Sequence, residues 1–311
     1  METWIAGRAR NDSHGGLIAV DWGTSSLRAA LLDEQGAVVE ERSAPRGILS
    51  VPAGGFPDVF DEITANWPRG DGTLCLVSGM AGSRQGWIEA PYCACPAGFS
   101  EIAANLAWVE PERIAIVPGM SCERDGVPDV MRGEETQVFG AMAAMRIDTG
   151  WFVLPGTHSK WVRAVGGRIE HFSTFMTGEF YALLRQHSIL ARTLPEADGE
   201  LDAQAFERGV KHAATQGNLL HAAFSVRALA LFDRMPAHAM PSYLSGLVIG
   251  EEVRTQRALL DGTSPVVLVG SAALAKRYSL ALGILGVSST PAPQDATWQG
   301  LRAIASECRL S

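Results

Sequence analysis

The sequence predicts an α/β protein made of two similar halves that face each other across a cleft. Three observations predict it. First, Leu17 to Leu32, LIAVDWGTSSLRAALL, reads as a buried strand, a tight glycine turn and a return strand with alternating Leu27, Ala29 and Leu31. Second, the pattern recurs: Trp151 to Leu154 run into Gly156-Thr157-His158-Ser159 and on to Trp161, Val162, Ala164 and Val165. Gly23 matches Gly156, Thr24 matches Thr157 and Ser26 matches Ser159 at one constant offset. Third, each hairpin continues into a third strand, Ala37 to Glu41 after the turn Asp33–Gly36, and Arg168 to Phe172 after Gly166-Gly167. A chain of 311 residues accommodates two domains. We divide it into a disordered leader, 1–16, a first domain, 17–147, and a second, 148–311.

The hairpin tips suggest what the cleft holds. Glycine lets a backbone approach a phosphate closely, and the following amides and hydroxyls are donors of little bulk. Gly23, Thr24, Ser25 and Ser26 in the first tip, with Gly156 and Thr157 in the second, are therefore candidate phosphate-binding residues. Asp21 ends the first strand, where a carboxylate can hold the hydration shell of a Mg²⁺ ion. Leu154 stands at the equivalent place in the second copy, so only one tip is fitted for metal. Either tip alone is also ordinary hairpin chemistry; their repetition in register favours a polyanionic ligand gripped between the halves.

Between the hairpins, Pro57 to Trp67 has helical character and Leu74 to Val77 is a short buried strand. That strand enters Ser78-Gly79-Met80-Ala81-Gly82-Ser83, followed by Arg84 and Trp87. Ligands gather at the carboxyl ends of strands in α/β folds, so this loop is either a substrate site or a plain glycine-rich connection. Ile114 to Val117 is a further strand. Met131-Arg132-Gly133-Glu134-Glu135 then opens a helix whose Val138, Phe139, Ala141, Met142 and Met145 follow amphipathic spacing. The two glutamates serve the helix dipole or face the cleft.

In the second half, Met176-Thr177-Gly178-Glu179 opens a helix, with Thr177 as N-cap or site residue. Helices are expected over Gln204–His212, Asn218–Phe232 and Pro241–Leu260. The buried strand Val266 to Val269 turns at Gly270-Ser271 into another helix, whose free amides suit a nucleotide or whose small residues serve close packing. Asp295 to Cys308 forms the last helix, in which Gly300 allows close approach.

Composition narrows the function. At 47% hydrophobic and 19% charged residues, this is an ordinary soluble globular chain. The net charge of −8 speaks against nucleic acid as a partner, which needs a basic surface. Lysine occurs only at 160, 211 and 276, none in a Walker context, so any nucleotide is bound without a P-loop. The five cysteines are odd in number and irregularly spaced, which points to reduced thiols and a cytoplasmic location rather than to zinc or disulfides. No apolar run approaches a membrane span of about 20 residues. The leader has no apolar core and does not read as a secretory signal.

Taken in order, IAVDWGTSSLRAALL, SGMAGSRQGW, VMRGEETQ, LPGTHSKW, MTGE, YLSGLVIGEEV and WQGLRAIA resemble the 2-dehydro-3-deoxygalactonokinase family. That family belongs to the sugar-kinase branch of the actin, hexokinase and heat-shock ATPase-domain superfamily. The motifs run from Ile18 to Ala305. The resemblance implies two ribonuclease H-like domains in an actin-like ATPase fold, with the ligands in the interdomain cleft. It implies transfer of phosphate from ATP·Mg²⁺ to the primary hydroxyl of 2-dehydro-3-deoxy-D-galactonate, in galactonate catabolism.

Carried over by motif, Asp21 and Gly23 to Ser26 match the first phosphate segment and Gly156-Thr157 the second. Gly270-Ser271 matches the adenosine segment, where a second glycine is usual. Sugar kinases commonly place a catalytic Asp at the start of the helix before the second phosphate segment; here that place holds Glu134 or Glu135. The Gly-acid order favours Glu134, and counting back from Thr157 fits either. The acid need only orient the hydroxyl and take its proton late. The substrate's own carboxylate calls for an Arg fork, with Arg132 first, then Arg84 and Arg28. Gly82, Ser83, Trp87, Thr177 and Glu179 complete the substrate candidates. A homodimer is compatible with the chain. The alternatives are a kinase for 2-dehydro-3-deoxygluconate or another sugar acid, and a non-catalytic, nucleotide-switched binding module.

Overall fold

The computed structural model describes residues 16–70, 72–260, 262 and 264–308. Apart from Gly16, the expected leader lies outside the described residues. The chain opens with β1 (Leu17–Trp22), β2 (Leu27–Leu32), β3 (Val38–Ala44), α1 (Phe56–Ile63) and β4 (Leu74–Gly79). There follow β5 (Tyr92–Ala94), α2 (Phe99–Ala104), β6 (Ala107–Glu110), β7 (Ile114–Ile116), β8 (Gly119–Arg124), β9 (Val127–Met131) and α3 (Glu134–Met145). The second half begins with β10 (Gly150–Leu154), β11 (Ser159–Val165), β12 (Arg168–Phe175) and α4 (Thr177–His187). It continues through α5 (Ala203–Gln216), α6 (Leu219–Ala222), α7 (Ser225–Leu231) and α8 (Met240–Arg257). The chain closes with β13 (Val266–Leu268), α9 (Ala272–Ile284), β14 (Ser289–Pro291) and α10 (Ala296–Cys308).

The duplication is visible in the strand orders. One sheet runs β3-β2-β1-β4-β7-β6 and the other β12-β11-β10-β13-β14. In each, the first strand is antiparallel to the second and parallel to the fourth. This is the expected ribonuclease H-like arrangement, present twice.

β1 and β10 are apolar on both faces because both faces are covered. Ile18, Val20 and Trp22 pack with Phe56, Phe60 and Trp67, whereas Leu17 and Ala19 turn to a second core. β10 does the same: Trp151 and Val153 meet Phe206, Val210 and Tyr278, while Phe152 and Leu154 enter the core that holds Leu17 and Ala19. That shared core contains Phe139 and Met142 of α3 with Leu301 and Ile304 of α10. The expected amphipathic α3 is instead buried on most sides as far as Met142, because it lies between the two sheets with α10 beside it.

Helix α10, although last in sequence, also contacts β1, β4 and α2 of the first half. Its crossing with α3 depends on Gly140 and Gly300. A Cβ on Gly300 would stand 1.9 Å from the Thr136 carbonyl oxygen, and one on Gly140 would stand 1.6 Å from that of Ala296.

The three-stranded sheet β5-β8-β9 was not expected. It joins the halves along β12. Ala97 bridges Ile169, Arg168 reaches Glu101 at 2.6 Å, and Thr174 donates its amide and hydroxyl to Asp129 at 2.7 and 2.6 Å. Lys160, almost completely buried, donates to the Val130 carbonyl at 3.0 Å and to Thr174 Oγ1 at 2.8 Å. The helix expected over Asn218–Phe232 is broken near Ala223 into α6 and α7.

Candidate active site

The first tip is closed by the Gly23 amide, which donates to the Ser26 carbonyl at 2.9 Å. Behind it, Ile48 N donates to Gly23 O at 3.0 Å. Gly47 lies so close that its Cβ would meet Thr24 O at 2.2 Å. The second tip is supported in the same way by the start of α4. A Cβ on Gly178 would meet Gly156 O at 2.5 Å, and Glu179 N donates to Thr157 O at 3.1 Å.

The two tips open onto one cavity of about 360 Å³. Its lining includes Asp21, Gly23, Thr24, Arg132, Glu134, Gly156, Thr157 and Gly270, which lie far apart in sequence. Gly270 adopts φ +132°, a conformation that side chains rarely tolerate. Ser25 and Ser26 are exposed at the tip, and Ser271 is exposed at the N-cap of α9 with no side-chain cap bond.

The adjacent glutamates have different surroundings. Glu134 lines the cavity and accepts from the Arg132 amide at 3.0 Å. Burial raises its pKa, against the opposing pull of Lys160, backbone amides and His158. Glu135 is fully buried and folds back onto the Gly133 amide, with both oxygens at 2.9 and 2.8 Å. Its pKa is pushed up to about 8, first by burial and next by the Glu134 charge. Thr136 donates to Glu135 at 3.2 Å and pairs with Ser78 at 2.8 Å, tying the helix start to the end of β4. Gly79 (φ +95°) and Gly133 (φ +104°) meet at that junction.

Arg132 carries unsatisfied donors. Its Nη2 donates to Ala90 O at 2.9 Å and its guanidinium lies 4.3 Å from the Tyr92 ring centroid. Nε and Nη1 are buried without a partner, as is Ser83 Oγ. Gly82 is needed beside it: a Cβ there would stand 2.8 Å from Nη1. Buried donors are nearly always satisfied, so this cluster is suited to an anionic ligand.

The other substrate candidates are placed elsewhere. Arg84 is a surface residue paired with Glu89 at 3.0 Å, and Trp87 packs against Trp22 and Phe60. Thr177 does not cap α4; its hydroxyl donates to the buried Glu252. Glu179 lies 2.6 Å from His158 Nε2. Arg28 is bound to Asp21. A smaller cavity of about 220 Å³ shares Gly156 with the main one and is lined among others by Thr177, Tyr181, Val248, Leu274 and Arg277.

Sequence reading missed His158 and Gln137, which line the main cavity, and the buried Lys160 and Glu252. The quoted segments LPGTHSKW and YLSGLVIGEEV already contained three of them. A charged residue inside an apolar run was the available signal. Among the described residues, no group of three or more His, Cys, Asp or Glu is placed to hold a metal ion. A Mg²⁺ that keeps its waters and binds mainly through phosphates requires no such group, and Asp21 supplies one carboxylate at the cavity wall. No helix among the described residues is long and apolar enough to cross a membrane.

Known proteins resemble this chain along most of its length. A family model described as 2-keto-3-deoxy-galactonokinase matches residues 21–304. The chain is 36% identical over 289 residues to the 2-dehydro-3-deoxygalactonokinase of Escherichia coli K12, covering 93% of this chain and 97% of that one. It is 39% identical over 295 residues to a probable 2-dehydro-3-deoxygalactonokinase of Rhizobium meliloti, covering 92% and 95%. The crystal structure of a candidate 2-dehydro-3-deoxygalactonokinase from Sinorhizobium meliloti superimposes with a TM-score of 0.84 at 35% identity, covering 96% and 99%. Component A of (R)-2-hydroxyglutaryl-CoA dehydratase from Acidaminococcus fermentans, at 13% identity and TM-score 0.53, shares the actin-like ATPase fold alone.

Proposed function

The chain belongs to the 2-keto-3-deoxy-galactonokinase family, and from that premise we propose that it transfers the γ-phosphoryl group of ATP to the 6-hydroxyl of 2-dehydro-3-deoxy-D-galactonate. The product is 2-dehydro-3-deoxy-6-phospho-D-galactonate, a step of galactonate breakdown. The observation that carries this reading is the convergence of both hairpin tips, Asp21, Arg132 and Glu134 on one cavity.

In this reading the hydroxyls of Thr24 and Thr157 hold the phosphates, with Gly23 and Gly156 letting the backbone approach them closely, and the nucleoside enters the smaller cavity that shares Gly156 and is lined by Leu274 and Tyr278 of α9. Asp21 holds the hydration shell of Mg²⁺, which when bound neutralises phosphate charge. Arg132, with Ser83, takes the sugar-acid carboxylate. Glu134 orients the primary hydroxyl and accepts its proton as that oxygen bonds to phosphorus. The bond from phosphorus to the β-bridging oxygen breaks, and ADP leaves. Glu135, turned into the helix start, supports this geometry without touching the substrate.

A panel of sugar acids assayed with ATP and Mg²⁺ tests the proposal. The galactonate-derived keto-deoxy acid is expected to give the highest kcat/KM. Preference for 2-dehydro-3-deoxygluconate would change the substrate. A folded, nucleotide-binding protein with no sugar-dependent ADP release would instead be a nucleotide-switched binding module. We place the enzyme in the cytoplasm, in keeping with its free cysteines. We also propose a homodimer, which sedimentation equilibrium tests directly.

A further inference from the structure

Glu252 in α8 is only 2% exposed. Its Oε1 accepts from Ser159 Oγ at 2.7 Å and from Trp161 Nε1 at 2.6 Å. Its Oε2 accepts from Thr177 Oγ1 and from Tyr278 Oη, the latter at 2.7 Å. Two donors on each oxygen fill the accepting capacity of an ionised carboxylate. All four partners are neutral, which is a costly way to keep a buried charge unless the bonds themselves have a role.

The partners surround the second phosphate tip. Ser159 and Trp161 lie on one face of β11, immediately after Gly156-Thr157-His158. Thr177 opens α4, whose next two residues support the tip backbone. Tyr278 belongs to α9, whose first turn follows Gly270, and with Thr177 and Gly156 it lines the smaller cavity. Glu252 lines neither that cavity nor the main one, bordering instead a third beside Phe180 and Leu219.

We infer that Glu252 is the positioning residue of the nucleotide half of the site, one buried carboxylate that sets the second phosphate tip, the start of α4 and the nucleoside helix α9 in mutual register. This rests on the kinase reading above for the identity of the ligand. Only an ionised glutamate can accept all four donors. In Glu252→Gln, Trp161 can only donate, so the amide oxygen must face Ser159 and Trp161. The amide NH₂ then faces Thr177 and Tyr278, whose hydroxyls must reverse. The volume is kept while the links to α4 and α9 are disturbed.

The test is steady-state kinetics on the full-length protein, with calorimetric binding of a non-hydrolysable ATP analogue and of the sugar acid. Folded Glu252→Gln is expected to raise the ATP KM and the analogue Kd about tenfold or more, with the sugar-acid KM within about twofold of wild type. Unchanged nucleotide affinity, or equal weakening of both ligands, overturns the proposal. If Glu252→Gln fails to fold, Ser159→Ala removes one donor and is expected to give the same nucleotide-selective change at smaller size. A Ser159→Ala protein altered only in Tm overturns the proposal. Wild-type protein that binds the analogue but phosphorylates no sugar acid defeats the kinase reading and leaves this test intact; wild type that binds no nucleotide defeats both.

Discussion

Arg28 stands directly opposite Asp21 across the β1–β2 pair, and its Nη2 donates to Asp21 Oδ2 at 2.6 Å. The guanidinium also lies 5.4 Å from the Trp298 ring centroid of α10. Asp21 is therefore held from one side while it borders the cavity on the other. Asp21→Ala is expected to lower kcat about a hundredfold, ~3 kcal/mol in the barrier, while calorimetry shows sugar-acid binding retained. Arg28→Gln releases the carboxylate and should lower the Mg²⁺ concentration needed for half-maximal rate. Full turnover of Asp21→Ala at saturating ATP would remove Asp21 from the metal side.

Glu134→Gln should reduce kcat by about 10²-fold or more and change either KM little, because the lost contact acts at the transferring group. Glu135→Gln should retain much more activity, since that carboxylate is occupied by the Gly133 amide. A dead Glu135→Gln beside an active Glu134→Gln would reverse the assignment. Burial raises the Glu134 pKa while Lys160 lowers it. The acidic limb of the kcat profile should therefore lie above the ordinary glutamate range, and Lys160→Met should move it higher still.

Glu135 makes a separate prediction about stability. Its folded pKa is pushed up to about 8. Between the ordinary glutamate value and that pH, the folded protein keeps a proton that the unfolded chain has lost. This group's contribution to stability is therefore full at low pH and declines as pH rises through this window, by on the order of 5 kcal/mol. Glu135→Gln has no such proton to lose. Melting temperatures from pH 5 to 9 should show the variant gaining on wild type as pH increases; parallel curves would show that Glu135 is ionised throughout.

Arg132 has two unpartnered buried nitrogens, and the hydroxyl of Ser83, next in sequence to the Gly82 that packs on Arg132, is also partnerless. Arg132→Met should raise the sugar-acid KM about 10- to 100-fold, the size of a lost charge-assisted contact, with the ATP KM little changed. Loss confined to ATP binding would move Arg132 to the phosphates.

Gly300→Ala would drive a methyl group toward the Thr136 carbonyl, which a Cβ at that position would meet at 1.9 Å. Overpacking of this kind costs about 1–3 kcal/mol, and it displaces the turn that carries Glu134. We expect a lower Tm together with a lower kcat. Gly283→Ala in α9 meets nothing within 4 Å and should stabilise by up to about 1 kcal/mol through helix propensity. Equal, small effects of the two variants would show that the α3–α10 crossing is not tight.

Some features arise from near neighbours along the chain. The glycine tips at Gly23 and Gly156 and the two-sided apolar strands Leu17–Trp22 and Gly150–Leu154 were legible. So was the turn at Gly270, because backbone freedom and alternation are written within a few residues. The same holds for Gly300, whose place in a helix marks close approach. Tertiary structure decided the rest. β9 contains Pro128 and three exposed residues, so no local pattern announced a strand; its pairing with β8 and its bonds to β12 made it one. The neighbours Glu134 and Glu135 are chemically identical in sequence, and only the packing of α3 between two sheets turns one to the cavity and buries the other. Nothing local distinguishes Glu252 from other charges on a helix; Ser159, Trp161, Thr177 and Tyr278 make it a fully bonded carboxylate. A buried carboxylate is defined by its donors, and those come from chain segments that only folding brings together.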